Sequence, residues 1–323
     1  MRDSYGRTID YLRISITEQC NLRCCYCMPE HAETFCQSRR LMSFGEILSA
    51  ARTAASLGVR AVKITGGEPL CRPGCPELIG RLKEIKGIRQ VTMTTNGLLV
   101  SRYLDELLDA GLDGINISLD TLNEAQFHQI TRRNFPLSQV LKAVESCSAK
   151  LPTKINAVLL PETENQLIPL ARLACSLPVD VRFIEQMPLG NGRQAPSCRS
   201  SRDSVLTRLK AEWPSLSPVS ESKGNGPAVY YRAPAFSGSV GLIEAVSHSF
   251  CSGCNRIRIT SDGQLKPCLC YGDSLDLMPA LEKKNEQQLL ALFQKAVKNK
   301  PKAHCFLQAS EVSERRYMSQ IGG

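Results

Sequence analysis

Short β-rich apolar runs alternate with longer segments of helical periodicity between Tyr11 and Glu185. Such alternation is typical of βα units and a parallel sheet. Strands this short and apolar predict either a partial barrel or a doubly wound sheet. Six runs are the predicted strands, and they begin at Tyr11, Val59, Gln90, Asp113, Thr153 and Val179.

Two of the intervening helices have recognisable ends. Ser43 and Glu46 have the spacing of a capping box, and Gly58 is placed to stop the helix that they begin. Ser101 and Gly111 are predicted to bracket the helix of the segment RYLDELLDA in the same way.

The predicted strand ends carry polar and glycine residues. In both candidate architectures the chemistry gathers at the carboxyl ends of the strands. Here those ends are TEQC, TGGEP, TTNG and SLD, and the sixth strand carries Arg182 and Glu185. Loops between strands and helices are generally polar, but Gly-Gly-Glu-Pro after an apolar strand is more specific than that. We therefore expect a functional site on this face.

The alternating pattern breaks after Glu185 at a Gly/Pro/Ser-rich crossing. We therefore divide the chain into a barrel region, residues 1–185, and a second region, residues 186–323. The second region is predicted to contain a helix at SVLTRLKAEW, β-rich pieces at AVYYRAP and GSVGLIEAV, a hairpin at NRIRITSDGQLKP and a late helix at QQLLALFQKAVKNK.

Composition narrows the classes of function. The 323 residues are 42% hydrophobic, enough for a core that needs no staples. The first residues form no apolar leader and no long apolar run follows, which predicts a cytoplasmic protein without a membrane partner. The net charge of +9 is dispersed and aromatic residues make up 6%. That pattern argues against nucleic acid and favours a small anionic ligand.

The first group of cysteines lies directly after the first strand. Fifteen cysteines in a reducing compartment are not a disulfide framework. Cys20, Cys24 and Cys27 have CxxxCxxC spacing, and Cys25 is expected to point away from them. Structural zinc and most iron–sulfur clusters take four protein ligands, so three thiolates leave a metal with an open position. A substrate or cofactor can bind there.

A second group of cysteines flanks the predicted hairpin. Cys251 and Cys254 form a CxxC, and Cys268 follows fourteen positions later. A zinc ribbon would place a second CxxC there, but the sequence has one residue between Cys268 and Cys270. Zinc is therefore the runner-up, and spacing alone leaves open whether Cys268 or Cys270 is the third ligand.

CxxxCxxC with an aromatic residue before the last cysteine, here Tyr26, followed by GGEP, resembles the radical S-adenosylmethionine superfamily. The segment NRIRIT and the terminal QIGG resemble one branch of it, the GTP 3′,8-cyclases of molybdenum cofactor biosynthesis, over essentially the whole chain. The resemblance implies a partial (βα)6 TIM-type barrel with a C-terminal auxiliary-cluster region. It also implies two [4Fe–4S] clusters and S-adenosylmethionine as cofactors.

The resemblance implies roles for individual residues. The first cluster would be held by Cys20, Cys24 and Cys27, and the second by Cys251, Cys254 and Cys268. Contacts to S-adenosylmethionine are implied for Tyr26, Gly67, Ser118 and Met187. Contacts to GTP are implied for Arg13, Lys63, Thr94, Lys154, Arg256 and Arg258. A catalytic tail of Gly322 and Gly323 would be ordered beside the substrate.

The activity implied is a radical lyase reaction that cyclises GTP to 3′,8-cyclo-7,8-dihydro-GTP. It requires an electron donor, and the product would pass to cyclic pyranopterin monophosphate synthase. Whether the protein forms a homodimer is left open by the sequence. Two other functions also stay open. One is a radical S-adenosylmethionine enzyme that modifies a peptide, against which NRIR and the terminal glycines argue; the other is a non-enzymatic zinc module, which would not explain GGEP.

Overall fold

The computed structural model describes residues 1–31, 40–190, 202–220 and 223–322. All six predicted strands are confirmed, and the helices lie between them. The strands are β1 (Tyr11–Ser15), β2 (Ala61–Thr65), β3 (Gln90–Thr95), β4 (Gly114–Ser118), β5 (Thr153–Leu159) and β6 (Val179–Glu185). The helices are α1 (Phe44–Ser56), α2 (Cys75–Lys83), α3 (Val100–Asp109), α4 (Glu124–Thr131), α5 (Leu137–Ser148) and α6 (Leu167–Ser176).

The rest of the described chain adds shorter elements, including the predicted helices and the predicted hairpin. Its strands are β7 (Ser217–Pro218), β8 (Val229–Arg232), β9 (Ser239–Ile243), β10 (Arg256–Ile259), β11 (Gln264–Lys266) and β12 (Leu275–Asp276). Its helices are α7 (Arg202–Glu212), α8 (Met278–Glu282), α9 (Glu286–Lys298) and α10 (Met318–Ile321).

The described strands form one sheet in the order β12-β11-β10-β1-β2-β3-β4-β5-β6-β9-β8-β7. The eight strands from β10 to β9 are parallel to one another, whereas β11 and β8 pair with them antiparallel. Strand β10 flanks β1 and β9 flanks β6, and the two do not pair with each other in the described sheet. The fold is therefore a partial TIM-type barrel whose open flanks are both extended from beyond residue 185. The division into two regions at that residue stays a prediction.

The ends of α1 and α3 test the capping predictions. Ser43 and Glu46 form the expected capping box, and the Glu46 carboxylate accepts the Ser43 N–H at 2.7 Å. The prediction for α3 is wrong at its beginning, because the helix begins at Val100 and Ser101 lies inside it. Val100 is fully buried, and its N–H donates to the Gly97 carbonyl at 3.2 Å, so core packing begins the helix before the serine.

Two apolar clusters hold the molecule together. The larger one lies between the sheet and its surrounding helices. The smaller one, which we call the tail cluster, contains Leu189, Cys270, Phe306, Val312 and Ile321. The tail cluster packs the end of the chain against the loops after β6 and β11. Within the described ranges, none of the helices combines the length and the apolar character that crossing a lipid bilayer requires.

Candidate active site

A cavity of about 390 Å³ runs along the inside of the barrel. Its wall includes Gly67, which follows β2, and also Gln90 and Pro152, which lie at the opposite ends of strands. The cavity therefore extends from one end of the sheet to the other. Its lining contains these predicted site residues: Cys20, Cys24, Cys27, Tyr26, Gly67, Ser118, Met187, Arg13, Lys63, Thr94, Lys154, Arg256, Arg258, Cys251, Cys254 and Cys268.

The first cysteine group, Cys20, Cys24 and Cys27, is formed by a tight turn after β1. The N–H of Cys27 donates to the Cys24 carbonyl at 2.9 Å, which curls the loop. Burial raises the pKa of all three thiols, to about 12 for Cys27, and the neighbouring thiols raise that of Cys24 further. A bound metal supplies the positive charge that turns such thiols into thiolate ligands.

The donor atoms of the two cysteine groups indicate the kind of metal site that they can form. Across the described part of the chain, no three Cys, His, Asp or Glu side chains converge closely enough to hold one metal ion. A single zinc ion needs its ligands about 2.0–2.3 Å away. The thiols that hold a multi-iron cluster bind different irons and therefore stand further apart. The three-thiol donor sets fit the chemistry of iron–sulfur clusters, which are held by cysteine thiolates.

The aromatic ring next to the first group is fixed by a carboxylate that the sequence reasoning missed. The Tyr26 hydroxyl donates to Asp120 at 2.8 Å, and the other Asp120 oxygen accepts the Val158 N–H at 2.7 Å. Burial raises the pKa of Asp120 to about 6. Asp120 ends the motif SLD, but nothing in its spacing links it to Tyr26. Cys25, by contrast, lies off the cavity wall, as expected.

The glycines of GGEP allow β2 to approach the cluster loop. A Cβ on Gly67 would lie 2.4 Å from the Gln19 carbonyl oxygen, and one on Gly66 would lie 2.7 Å from that of Thr17. The Gly67 N–H donates to the Thr17 carbonyl at 2.7 Å. Only residues without a side chain fit this contact. The two motifs therefore form one structural unit beside the cavity.

Glu68 of GGEP forms hydrogen bonds to residues at the end of the neighbouring strand β3. It is fully buried, and its carboxylate accepts the Thr95 hydroxyl at 2.9 Å and the Asn96 N–H at 2.7 Å. Burial raises its pKa to about 7. Glu68 therefore fixes the end of β2 to the end of β3.

Ser118 and Met187 reach the cavity from the ends of β4 and β6. Gln186, beside Met187, also lines the cavity, and both polar atoms of its side chain are buried without a hydrogen-bond partner among the described residues. An amide with both donor and acceptor unpaired is suited to bind a polar ligand. Sequence reasoning missed it because an isolated glutamine carries no spacing signal.

The second cysteine group, Cys251, Cys254 and Cys268, lies just before β10 and just after β11. Burial acts to raise the pKa of Cys251, but hydrogen bonds from His304 and Ser249 prevail and lower it to about 7. The His304 backbone N–H donates to the Cys251 thiol at 3.3 Å. Cys251 therefore forms a thiolate more readily than the thiols of the first group.

Neighbouring cations lower the pKa of a second thiol in this group, that of Cys254. Burial opposes the shift, but Arg256 and Lys300 prevail and lower the pKa of Cys254. At Cys268 the effect of burial prevails over that of nearby Lys300, so the pKa of this thiol is raised.

Cys268 and Cys270 differ in their access to the cavity, because only Cys268 lines it. Cys268 lines it together with Cys251 and Cys254. Cys270 is fully buried in the tail cluster, where its sulfur lies 3.3 Å from that of Cys305. The geometry favours Cys268 as the third ligand of the second group.

The two cysteine groups lie at opposite ends of neighbouring parallel strands. Strand β1 pairs in parallel with β10, with Tyr11 opposite Arg256. The first group follows β1, whereas Cys251 and Cys254 precede β10. Five strand residues span about 16 Å. The cavity between the groups is therefore long enough for a ligand larger than a single small ion.

Three cations lie side by side between the two groups. Arg258 of β10 lies opposite Arg13 of β1, which lies opposite Lys63 of β2. Neighbouring strands are about 4.8 Å apart, so these residues form one rung, which we call the cation rung. Burial, Arg182 and Arg13 lower the pKa of Lys63 well below its usual value, and burial lowers that of Arg258 to about 9. Like charges held this close are suited to a polyanion.

A second set of cations extends the positive wall toward β6. Lys154 contacts Asp180 at 3.7 Å and the Tyr230 hydroxyl at 3.1 Å, and Asp180 also binds Lys223 at 2.8 Å. Arg182 lines the cavity and donates to Asn156 at 2.5 Å. The sequence reasoning did not include Arg182 or Lys223 among the ligand contacts. Arg182 was noted only as a polar residue of the sixth strand, and Lys223 gave no signal because a lone cation in a loop is usually a surface residue.

The tail approaches the cavity from the side of the tail cluster. The Gly322 carbonyl accepts a hydrogen bond from Arg258 at 2.9 Å. Gly322 has φ of +76°, and a Cβ there would lie 2.7 Å from the Thr65 hydroxyl oxygen and 2.9 Å from the Ser15 Cβ. Both the backbone conformation and the space therefore require glycine. Gly323 lies outside the described residues.

Comparisons with known proteins agree with this arrangement. A family model described as the radical SAM superfamily matches residues 14–174, and one described as Molybdenum Cofactor Synthesis C matches residues 179–306. The GTP 3′,8-cyclase of Clostridium perfringens (strain 13 / Type A) is 40% identical over 326 residues and covers 100% of both chains. That of Alkaliphilus oremlandii (strain OhILAs) is 41% identical over 331 residues, again with 100% of both chains covered.

The solved structures agree on the fold. Native anSMEcpe with bound AdoMet has a TM-score of 0.56 at 17% identity, and the match covers 89% of this chain and 84% of that one. At this identity the likeness concerns the fold alone. The full-length relatives carry the stronger conclusion: the chain belongs to the GTP 3′,8-cyclase family of radical S-adenosylmethionine enzymes.

Proposed function

We propose that this protein converts GTP to 3′,8-cyclo-7,8-dihydro-GTP in molybdenum cofactor biosynthesis. The observation that carries the proposal is the cation rung of Arg258, Arg13 and Lys63, which lies in one cavity between two three-cysteine groups. A triphosphate offsets the repulsion of that rung, and the length of the cavity suits a nucleotide. The names of the full-length relatives and the Molybdenum Cofactor Synthesis C match support the same activity.

The residues divide the work along the cavity. The cofactors are two [4Fe–4S] clusters and S-adenosylmethionine, and each cysteine group would hold one cluster. The cation rung and Lys154 would bind the phosphates. Each arginine of the rung can donate two parallel hydrogen bonds to the oxygen atoms of one phosphate. Tyr26, held by Asp120, would orient S-adenosylmethionine beside the first group.

S-adenosylmethionine, bound beside the first cysteine group, would supply a 5′-deoxyadenosyl radical able to take a hydrogen atom from the ribose of GTP. Joining C3′ to C8 would pass one hydrogen atom from C3′ to 5′-deoxyadenosine and would require one electron from the external donor and one proton at the base, so the product would keep the composition of GTP. The chain would hold C3′ and C8 in reach and keep water away. Fixed phosphates limit how far the ribose can move.

Partners follow from the same chemistry. The reaction needs a low-potential electron donor to reduce the first cluster. The cyclised nucleotide is then the substrate for cyclic pyranopterin monophosphate synthase. Both partners, a homodimeric form and a cytoplasmic location belong to this proposal.

The direct test is an anaerobic reaction of the iron-loaded protein with GTP, S-adenosylmethionine and dithionite, followed by chromatography and mass spectrometry. We expect one product with the mass of GTP but a different retention time, formed together with one 5′-deoxyadenosine. Reactions without S-adenosylmethionine, or with ATP in place of GTP, are the controls. Release of 5′-deoxyadenosine with GTP returned unchanged would overturn the proposal.

A further inference from the structure

The C-terminal tail is held by a buried ion pair. Lys266 of β11 is fully buried, Glu314 is 2% exposed, and their side chains form a salt bridge. The Lys266 ammonium also donates to the Tyr271 carbonyl at 2.7 Å. Separating two buried charges strongly destabilises the folded protein, so this ion pair holds the chain in place at Glu314.

Glu314 organises the backbone that follows it. Its carboxylate accepts the N–H of Arg315 at 3.0 Å, the N–H of Arg316 at 2.9 Å and the Arg316 side chain at 3.2 Å. Its own N–H donates to the Cys270 carbonyl at 3.2 Å. The chain direction after residue 314 is therefore set by one carboxylate.

The far end of the same segment binds at the cavity. Arg258 donates to the Gly322 carbonyl at 2.9 Å. The Ser319 backbone lies beside the Cys27 thiol of the first cysteine group and opposes the rise in its pKa. The tail therefore contacts a predicted cluster ligand as well as the cation rung.

One position of the hairpin holds both ends of the segment. In the β10–β11 register Arg258 lies directly opposite Lys266. Lys266 binds Glu314 at the beginning of the segment and Arg258 binds Gly322 at its end. Residues 314–322 are thus fixed at two points that one strand pair keeps at a constant separation.

We propose that Lys266 and Glu314 are positioning residues for GTP cyclisation, which act by holding Gly322 against Arg258 and the cavity. The inference rests on the proposed function and deepens it. Neither Lys266 nor Glu314 lines the cavity itself. It fixes the tail whose glycine backbone lies beside the cation rung.

The first variant is Glu314→Gln, with Glu311→Gln as the matched control, since Glu311 is an exposed glutamate just before the segment. In iron-loaded Glu314→Gln we expect hydrogen exchange of the amides of residues 315–322 to accelerate at least about tenfold, because three hydrogen bonds to a charged acceptor weaken. Cyclised product should fall by about tenfold while 5′-deoxyadenosine is still formed. Iron content should stay unchanged, and Glu311→Gln should match wild type in every measurement.

The second variant separates positioning from stability. Lys266→Met with Glu314→Leu removes both charges, so no buried charge is left unpaired and the melting temperature should recover. The N–H groups of residues 315 and 316 still lack their acceptor, so exchange should stay fast and cyclisation low. Recovery of product together with stability would overturn the proposal, as would wild-type exchange in Glu314→Gln. The exchange measurement needs no GTP, so it tests the ion pair even if the proposed cyclisation fails.

Discussion

The two cysteine groups differ in how the chain assembles them. The first comes from eight consecutive residues, Cys20 to Cys27, on one loop after β1. The second combines a turn before β10, a residue after β11 and a hydrogen bond from His304. The first is therefore a local motif, and the second exists only when distant parts of the chain have packed together.

Their electrostatic surroundings differ in the same way. Burial raises the pKa of each thiol in the first group, whereas neighbouring groups lower those of Cys251 and Cys254 against the effect of burial. The first group thus depends on its metal to ionise, while the second is already close to cations. Under the proposed function, the second cluster would therefore lie in the more positive surroundings, beside the anionic substrate.

The largest effect is expected from removing a ligand of the first group. Cys24→Ala leaves two thiols, which cannot hold a four-iron cluster, so S-adenosylmethionine cleavage should be abolished and about four irons lost per chain. Cys25→Ala is the matched control, because that residue lies off the cavity wall. Iron analysis and 5′-deoxyadenosine release measure the two outcomes. Equal losses in both variants would contradict the ligand assignment.

The second group can be broken without the first. Cys268→Ala should lose about four irons and GTP cyclisation while 5′-deoxyadenosine is still released, because the first group is untouched. Cys270→Ala should keep the iron and most of the activity, since its thiol packs in the tail cluster. Loss of iron from Cys270→Ala with full iron in Cys268→Ala would reverse the assignment.

The cation rung should affect one ligand and not the other. Arg13→Gln removes charge-assisted contacts worth about 1.5–3 kcal/mol, so GTP affinity should fall by about 10- to 150-fold. Binding of S-adenosylmethionine should change little. Exposed Arg89→Gln is the control, and calorimetry under anaerobic conditions measures both affinities. An unchanged GTP affinity would return Arg13 to a purely structural role.

The smallest effect is a pH dependence of GTP binding. Burial and Arg182 lower the pKa of Lys154 from its ordinary 10.5 to about 8. A bound triphosphate favours the ammonium form, so binding takes up a proton above pH 8 and GTP affinity should fall there, by at most about tenfold per pH unit. The empty protein should become more stable as pH rises from about 8 toward 10.5, because the neutral amine is easier to bury.

Lys154→Arg provides the control for this dependence, because arginine stays charged throughout the range. Its GTP affinity should lose the decline that begins near pH 8, and the affinity for S-adenosylmethionine should be flat in both proteins. A GTP dissociation constant that is constant from pH 7 to 9 in the wild type would contradict the prediction.

The sequence predicted the features that depend on neighbouring residues. The six barrel strands and the capping box at Ser43 follow from periodicity and short-range hydrogen bonds. The first cysteine group follows from spacing for the same reason. Ser101 failed as a helix cap because burial of Val100, a tertiary effect, outweighed the local preference.

The features that were missed depend on pairing between distant segments. Strands β9 and β10 join the parallel sheet without the βα pattern that normally announces such strands, so their place was not predicted. The same holds for the hydrogen bond from Tyr26 to Asp120 and the salt bridge between Lys266 and Glu314, which join segments that no motif connects. Periodicity carries no information about which strand lies next to which.

The position of β10 beside β1 has a consequence for the synthesis of the protein. Strand β1 ends at Ser15, but its outer neighbour begins only at Arg256. At about 5–20 residues per second the ribosome needs about 10–50 s to make the chain between them. Throughout that interval one side of β1 presents unpaired N–H and C=O groups, which can pair with other chains. A chain truncated before Arg256 keeps that edge open and is expected to aggregate, although it retains all six barrel strands and the complete first cysteine group.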